Sequence, residues 1–191
     1  MKLPFTHLSV ASGYSFKYGT ALPRHLVERV ALQGATAIAL TDRDGAAGAI
    51  RFAKSCEEFG VAPILGVNVS FLQKKYRLTI FAQSDGLSAL YRLLTSINLS
   101  DEKLLTYKVL NEASKYSSQL ILAHGVDSQL AVAINARRID EALSIYRSAA
   151  DLFAGQVIEC TSHLRAGTGP LSTTYAARML GFARDHSLPA I

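Results

Sequence analysis

The order of segments along the chain predicts an α/β fold built on a mostly parallel sheet. Three observations support this prediction. Short apolar runs bounded by turn residues alternate with stretches whose apolar residues recur at helical spacing. The 191 residues are 49% apolar and 18% charged, which suits one globular domain with a substantial core. The sequence has neither the long single-sign charge run nor the low apolar content that indicates disorder.

The first predicted strand lies within residues 5–15, FTHLSVASGYS. Its residues alternate with period 2, so successive side chains point to opposite faces. One face carries His7, Ser9 and Ala11: a histidine, a hydroxyl and a methyl group. The pattern leaves open whether this face belongs to a working catalytic site or to the remains of one.

The next elements continue the alternation of helices and strands. One helix is predicted from Leu22-Pro23 to Gly34 and a second ends at Gly60, because proline suits a first helical turn and glycine a helix end. Asp42 or Asp44 could cap the second helix. Apolar runs predict strands at 35–40, 61–69 and 77–82, and helical spacing predicts a helix at 87–97.

The second half of the chain extends the same order. It is predicted to contain helices at 103–114, 137–153 and 173–185, strands at 118–123 and 156–160, and the beginning of a further strand at 188–191. A chain that stops at the beginning of an apolar strand leaves its sheet unfinished. We therefore expect residues 1–191 to be a fragment of a longer protein that lacks its final strand or strands. An unusual edge strand at a natural terminus is the alternative.

Composition restricts the partners and the compartment. The formal net charge is +5, but the basic residues are spread along the chain, so charge alone does not indicate DNA contact. No apolar run is long enough to span a bilayer and no secretory leader is recognisable, which predicts a cytoplasmic protein without a membrane partner. Cys56 and Cys160 lack metal-ligand spacing and are expected to be buried, reduced thiols.

Two loops are candidates for anion binding. Asp42, Arg43 and Asp44 lie where a strand ends and a helix begins, so N–H groups and the arginine could hold an anion there. An aspartate N-cap beside an exposed arginine is the commoner arrangement. The segment 167–169 weakly resembles a phosphate loop, but it lacks the third glycine and Pro170 removes an N–H donor, so we reject it.

The five histidines are scattered along the sequence. His25 and His186 lie in predicted helical segments and are expected at the surface. His7, His124 and His163 lie near strand ends, where three imidazoles could meet around a metal ion. Nothing in their spacing supports a metal site, so hydrogen-bonded structural histidines are the favoured interpretation.

Several segments, taken together and in order, resemble one family. They are FTHLSVASGYSFKYG at 5–19, LVERVALQGATAIALTDRDGAAGAIRFAKSCEEFGVAPILGVNV at 26–69, RLTIFAQSDGLSALYRLL at 77–94, and the later stretch beginning QLILAHG at 119–125. The set is similar to the PHP (polymerase and histidinol phosphatase) domain at the N-terminus of the alpha subunit of bacterial C-family DNA polymerase III. TDRDG resembles the error-prone paralogues most. The resemblance covers essentially the whole chain and implies a PHP-type distorted (βα)7 barrel, incomplete at its C-terminal end.

The resemblance also implies where metal ligands would lie. Active members hold up to three metal ions with histidines, carboxylates and sometimes a cysteine, and the metals activate water for phosphoester hydrolysis. Their first ligands form an HxH pair, whose spacing places both on one face of a strand. His7 falls just before this pair, and the last Asp-x-His pair would lie beyond Ile191. None of the mapped positions keeps its ligand; they hold Ser9, Ala11, Tyr18, Arg43, Asn68, Arg77 and Gly125.

These replacements imply a pocket without catalytic or metal-binding residues. Ala11 offers no donor atom, and Arg43 and Arg77 bring positive charge where cations would lie. Asp42 matches the family and is expected to be retained for structural reasons. The expected remainder is a polar or anion pocket formed by His7, Asp42, Arg43, Asp44 and Arg77.

The resemblance implies that the parent chain is a DNA polymerase that uses Mg²⁺ bound elsewhere, and that this segment is a catalytically inert scaffold without a cofactor. Its partners would be the remainder of the alpha subunit, DNA through the parent chain, and other replisome subunits. Two alternatives stay open. One is a metal-dependent phosphoesterase or 3′–5′ exonuclease, which bound transition metal would favour. The other is a non-catalytic anion-binding or interaction module, which a sulfate or phosphate between the arginines would favour.

Overall fold

Five strands form a mixed sheet. The computed structural model describes residues 5–150 and 152–191. The strands are β1 (Ala37–Arg43), β2 (Ala62–Phe71), β3 (Tyr76–Ala82), β4 (Leu120–His124) and β5 (Gly155–Ile158), which lie side by side in that order. β1 pairs with β2 in parallel, as β4 does with β5, whereas β3 is antiparallel to both neighbours. Four strands therefore share one direction, and the predicted α/β class is confirmed.

Helices occupy most of the connections between the strands. The α-helices of the described residues are α1 (Pro23–Leu32), α2 (Ala49–Phe59), α3 (Leu87–Leu99), α4 (Tyr107–Ala113), α5 (Gln129–Asn135), α6 (Ile139–Ser148) and α7 (Thr173–Asp185). Gly60 ends α2 in the left-handed conformation, with φ 66°. Ser172 caps α7, because its hydroxyl accepts a hydrogen bond from the Tyr175 N–H at 3.1 Å. The helix predicted at 173–185 is confirmed residue for residue.

β3 is the exception in the mostly parallel sheet, because it runs antiparallel to both of its neighbours. It follows β2 after only four residues, 72–75, of which Leu72, Gln73 and Lys74 have φ values of 45°, 54° and 63°. Parallel neighbours need a crossover of a dozen or more residues, whereas antiparallel neighbours can be joined by a tight turn. The short connection therefore forces β3 to run back along β2.

The helix predicted at 103–114 begins four residues late. Leu105 donates its N–H to the Ser70 carbonyl at 2.9 Å, so the chain runs extended beside the end of β2. Thr106 then caps α4 by accepting from the Val109 N–H at 3.2 Å. Pairing with β2 replaces the first predicted helical turn.

The region between β4 and β5 contains two short helices instead of one long one. α5 was not predicted from the sequence; Ser128 caps it by accepting from the Ala131 N–H at 3.1 Å. Arg137, with φ 59°, turns the chain between α5 and α6. The predicted helix 137–153 is shorter, because α6 ends at Ser148. Asp151, which that prediction included, lies outside the described residues.

Both edges of the sheet are extended by irregular pairing. The predicted first strand is not a regular strand: Ala39 and Thr41 donate to the carbonyls of His7 and Val10 at 2.8 Å, but the Val10 N–H donates to the Thr41 hydroxyl. At the other edge, Ile158 donates to the Pro189 carbonyl at 2.9 Å, in line with the strand expected at 188–191. With these edges, seven segments lie side by side in sequence order, and the sheet is not closed by backbone pairing within the described residues.

The two faces of the sheet have different neighbours. On the outer face, β1 packs against α1 and α2, β2 to β4 pack against α3 and α4, and Ile158 of β5 packs among α5 to α7. On the inner face, Ala39, Phe81 and Ala123 form a smaller apolar cluster with neighbours from the N-terminal segment, β2, β4 and β5. Helices therefore cover one face, as in a barrel, while the other face is filled by the sheet's own side chains.

The two cysteines are unpaired thiols in different surroundings. Cys56 is buried in the α1–α2 cluster, and burial raises its pKa to about 11. Cys160 is half-buried, and desolvation together with the nearby Glu159 raises its pKa. Neither thiol is activated by its surroundings. In the described part of the chain, no helix combines the length and apolar character needed to cross a membrane.

Candidate functional site

A pocket of about 200 Å³ opens at one rim of the sheet. Its wall contains residues from the carboxyl ends of the parallel strands, from the beginning of the reversed strand β3, and from the N-terminal segment. The loop 163–171 contributes His163, Pro170 and Leu171. In sheets of this type the carboxyl ends of parallel strands are where loops converge to form sites.

The seven positions that the family resemblance maps as metal ligands all line this one pocket. They are Ser9, Ala11, Tyr18, Arg43, Asn68, Arg77 and Gly125. The mapping was made along the sequence, and the fold brings these residues together from segments separated by more than a hundred residues. The pocket is therefore the candidate functional site.

Strand register explains why the residues of the pocket meet. Arg43 pairs with Asn68 across β1 and β2, and Asn68 pairs with Thr79 across β2 and β3. Arg77 lies two residues before Thr79, hence on the same face. Outward-facing residues such as Val67 and Leu78 alternate with them and enter the helix-covered core.

Arg77 is tied into the wall of the pocket. Its Nε donates to Asn68 Oδ1, Nη1 donates to Ser70 Oγ at 2.9 Å, and Nη2 donates to the Asn68 carbonyl at 2.6 Å. Nη2 also forms an ion pair with Asp44 Oδ2 at 3.1 Å. Asp44 in turn accepts the Ser70 N–H at 2.6 Å. Arg77 thus links β2, β3 and the loop after β1, and four of its five side-chain N–H donors are used.

Arg43 is held differently. Its guanidinium carbon lies 3.4 Å from the ring centroid of Tyr18, a cation–π stack. No hydrogen bond or ion pair of its side chain is formed with any of the described residues. Stacking uses the face of a guanidinium and leaves its N–H edges free.

Asp42 does not line the pocket but positions the loop that carries Tyr18. The carboxylate is buried and accepts the Ser12 N–H at 2.6 Å, the Ser12 hydroxyl at 2.9 Å and the Ser15 hydroxyl at 2.7 Å. Gly19 closes the same loop, since a Cβ there would come within 1.9 Å of the Ser12 carbonyl oxygen. The position of Tyr18 under Arg43 depends on these two residues.

Helix capping by an aspartate, expected from the sequence, is therefore wrong. The N-cap of α2 is Gly48, and no side chain caps it. Asp42 faces Ser12 and Ser15, and Asp44 faces Ser70 and Arg77. Both carboxylates are used by segments distant in sequence, which a local capping rule cannot detect.

Glu159 is a pocket residue that the sequence analysis missed. It lies just after β5, and its side chain is nearly buried. Its Oε1 accepts hydrogen bonds from the Ser9 hydroxyl and from the Thr161 hydroxyl, the latter at 2.8 Å. The Ser9 bond joins the N-terminal segment at one edge of the open sheet to the end of β5, near the other edge. The only sequence signal was a glutamate in an otherwise apolar strand end, VIEC.

Other residues missed by the sequence analysis complete the wall. Asp127 and Thr161 come from loops, and Thr41 and Thr79 come from the inner face of β1 and β3. The charged side chains of the wall are thus two arginines and two carboxylates, Asp127 and Glu159.

The three histidines near strand ends do not meet. His163 lines the pocket, whereas the ring of His7 packs edge-on against Phe5 with centroids 4.8 Å apart. His124 faces the outer side, where its Nε2 pairs with Gln156 Oε1 at 2.8 Å. Burial lowers the pKa of His124 to about 4, and the Gln156 bond opposes this only in part. His25 and His186 are exposed, as predicted.

The expected five-residue pocket is therefore only partly assembled. Arg43 and Arg77 line it, Asp44 lies behind Arg77, and Asp42 lies beneath the loop that carries Tyr18. His7 does not line the pocket, because it pairs with Ile38 of β1, several residues before the end of that strand at the rim. In the described residues, no cluster of three or more His, Cys, Asp or Glu side chains could hold a metal ion.

Comparison with known protein sequences found relatives of this chain. A PHP-domain family model matches residues 7–163. An error-prone DNA polymerase from Symbiobacterium thermophilum is 38% identical over 101 residues, which cover 52% of this chain and 9% of that protein. One from Corynebacterium efficiens is 35% identical over 100 residues, with the same two coverages. The matched segment thus spans about a tenth of the length of these relatives.

Solved structures share the fold at low sequence identity. An amidohydrolase from Chromobacterium violaceum, with bound SO₄ and no metal, has a TM-score of 0.64 at 17% identity, over 97% of this chain and 84% of that one. A two-domain protein from Bacteroides vulgatus containing a predicted PHP-like metal-dependent phosphoesterase has a TM-score of 0.61 at 16% identity, over 97% and 49%. With a family model matching most of its length and PHP-like neighbours over nearly all of it, this chain belongs to the PHP-domain family.

Proposed function

We propose that this chain is the N-terminal PHP domain of an error-prone, alpha-subunit-type DNA polymerase, and that it is a metal-free structural module of that enzyme. The parent would extend primed DNA with Mg²⁺ bound in domains outside this chain. The remainder of the subunit would be the direct partner, with DNA and other replisome subunits reached through it. The similarity to error-prone polymerases over half of the chain supports the parentage.

The proposal that the module is metal-free rests on the side chains that line the pocket. Ala11 and Gly125 offer no side-chain donor at two of the mapped positions, and arginines occupy two more. At an effective dielectric constant of about 20, a guanidinium roughly 4 Å from a divalent cation is repelled by about 8 kcal/mol. A cluster of metal ions does not fit such a wall.

The network around Arg77 supports a structural role. Its guanidinium bridges Asn68, Ser70 and Asp44, so a fixed positive charge joins strand ends that metal ligands would otherwise connect. The planar fork of a guanidinium suits several acceptors at once. The pocket wall is thereby stabilised without an exchangeable ion.

A metal-dependent phosphoesterase or exonuclease is the second candidate. The observation in its favour is that Asp127, Glu159 and His163, all metal-ligand residue types, line the same pocket. Metal catalysis needs several of these donors on one ion, in a defined geometry.

Metal content separates the two candidates. The purified chain is incubated with Zn²⁺, Mn²⁺ and Fe²⁺, dialysed, and analysed by mass spectrometry, and its hydrolysis of p-nitrophenyl phosphate and of single-stranded DNA is measured. We expect substoichiometric metal and no hydrolysis. The triple variant Ser9→His, Ala11→His, Arg43→His restores three donors and serves as the matched control, which should gain metal. One or more ions per wild-type chain, with hydrolysis, would favour the phosphoesterase.

The reading frame that encodes this chain tests the parentage. We expect it to continue to about ten times the length of the segment matched in the relatives, with polymerase carboxylates downstream. A stop codon shortly after Ile191 would contradict the proposal.

A further inference from the structure

Two groups in the pocket wall have unused hydrogen-bonding capacity of opposite kinds. Arg43 stacks on Tyr18, and its guanidinium N–H groups have no acceptor among the described residues. Glu159 uses only Oε1, for Ser9 and Thr161. Its Oε2 has no donor in the described part of the chain and lies beside Gly125, 3.0 Å from where a Cβ would be. The pocket thus offers a free donor fork and a free acceptor oxygen.

The charges of the wall restrict what can bind between them. Arg43 and Arg77 are offset by Asp127 and Glu159, and Arg77 is also paired with Asp44. A doubly charged anion such as a phosphate monoester would therefore find one free guanidinium and two repelling carboxylates. A single negative charge that carries its own hydrogen-bond donor is complementary to both free groups.

The volume sets the size of the ligand. At about 200 Å³ the pocket is smaller than the cavities of roughly 300–1,000 Å³ that hold drug-sized ligands. Leu171, Pro170 and Val126 supply apolar wall, so a compact ligand with a short carbon skeleton fits.

We propose that the pocket is a binding site for a small α-amino or α-hydroxy carboxylate, whose carboxylate pairs with the N–H edge of Arg43 and whose ammonium or hydroxyl group donates to Glu159 Oε2. This inference rests on the metal-free pocket of the proposed function. Gly125 matters because a side chain there would meet the Glu159 carboxylate. Tyr18 and Asp42 act as positioning residues, since they hold Arg43 and the Tyr18 loop in place.

The test is an NMR titration of the isotopically labelled chain with four probes: glycine, glycolate, acetate and inorganic phosphate. Metal content is measured on the same sample. We expect glycine and glycolate to shift amide signals around the pocket and to bind roughly tenfold more tightly than acetate, which lacks the donor. Phosphate is expected to bind no more tightly than acetate.

Two variants test the two proposed contacts, and a third is the control. Arg43→Gln is expected to weaken glycine binding by roughly 10- to 100-fold, because it removes a charged donor pair. Glu159→Gln, which keeps an acceptor for Ser9 and Thr161, should remove the preference for glycine over acetate. Arg51→Gln, an exposed helical arginine outside the pocket, is the matched control and should change nothing. Unfolding midpoints of all variants are measured alongside to detect loss of fold.

Each other outcome overturns the inference. Tightest binding by phosphate would indicate an anion pocket, equal binding of acetate and glycine would remove the role of Glu159, and no binding by a metal-free sample would eliminate the site. Stoichiometric metal in the sample would contradict the proposed function itself. The metal measurement therefore distinguishes a failure of the proposed function from a failure of the ligand proposal alone.

Discussion

The outer face of the sheet and its inner rim are built by different rules. On the outer face, apolar side chains of the strands are covered by helices, and the contacts are non-directional hydrophobic ones. At the inner rim, charged and hydroxyl side chains from distant segments contact one another in specific pairs, such as Arg77 with Asp44 and Ser9 with Glu159. Hydrophobic burial stabilises the fold on the outer face, whereas strand register and specific side-chain pairs form the site at the inner rim.

This difference between the two regions indicates which substitutions should affect stability and which should affect binding. A core side chain is surrounded on all sides, so its loss leaves a cavity. A rim side chain borders the pocket, so its loss exposes partners that water can reach. The predictions below test this contrast from the largest expected effect to the smallest.

The outer face should dominate the free energy of unfolding. Phe52 in α2 is completely buried in the α1–α2 cluster, so Phe52→Ala should lower the free energy of unfolding by roughly 3–5 kcal/mol. Ile50, two residues earlier, is exposed, and Ile50→Ala should change it by no more than about 0.5 kcal/mol. Urea denaturation followed by circular dichroism measures both. Equal losses would mean that the face of α2 is assigned wrongly.

His124 is a polar exception on the outer face and should make stability depend on pH. Its native pKa is about 4 because the imidazole is buried, while the unfolded chain takes up the proton near pH 6.5. Between these values the unfolded state binds more protons, so the free energy of unfolding falls as the pH drops from 6.5 to 4. The expected loss is about 3 kcal/mol, and above pH 6.5 this contribution is constant.

Comparing wild type with a variant that lacks the imidazole separates the contribution of His124 to the pH dependence from that of the carboxyl groups. The His124→Gln variant should lose the part of the pH dependence between pH 6.5 and 4 that wild type shows in urea denaturation. If wild type and variant have parallel pH profiles, the imidazole is not buried in neutral form.

The two arginines of the rim should differ from each other. Arg77→Gln removes the ion pair with Asp44 and the bonds to Asn68 and Ser70, so it should lower the free energy of unfolding by roughly 1–3 kcal/mol. Arg43→Gln removes only a stack on an exposed tyrosine and should cost no more than about 0.5 kcal/mol. Thermal and urea denaturation compare the pair. A larger loss for Arg43 would reverse the roles assigned to them.

Sequence reasoning succeeded where the signal was local. The residue range of α7 follows from the spacing of its apolar residues, and the end of α2 follows from Gly60. The seven positions that the family resemblance maps as metal-ligand positions all line one pocket. Sequence reasoning failed for α5 and for the helix cap assigned to Asp42 or Asp44, because the actual partners of these carboxylates lie more than twenty residues away in the chain.

Taken by itself, the sequence determined most of the strand and helix segments and which side of each is apolar, because propensity and periodicity act over a few residues. The tertiary structure alone decided that β3 runs backward, that Glu159 reaches Ser9 across the open sheet, and that Arg77 is bound while Arg43 is free. These outcomes depend on the register between strands and on contacts across as many as 150 residues, and no local pattern encodes them.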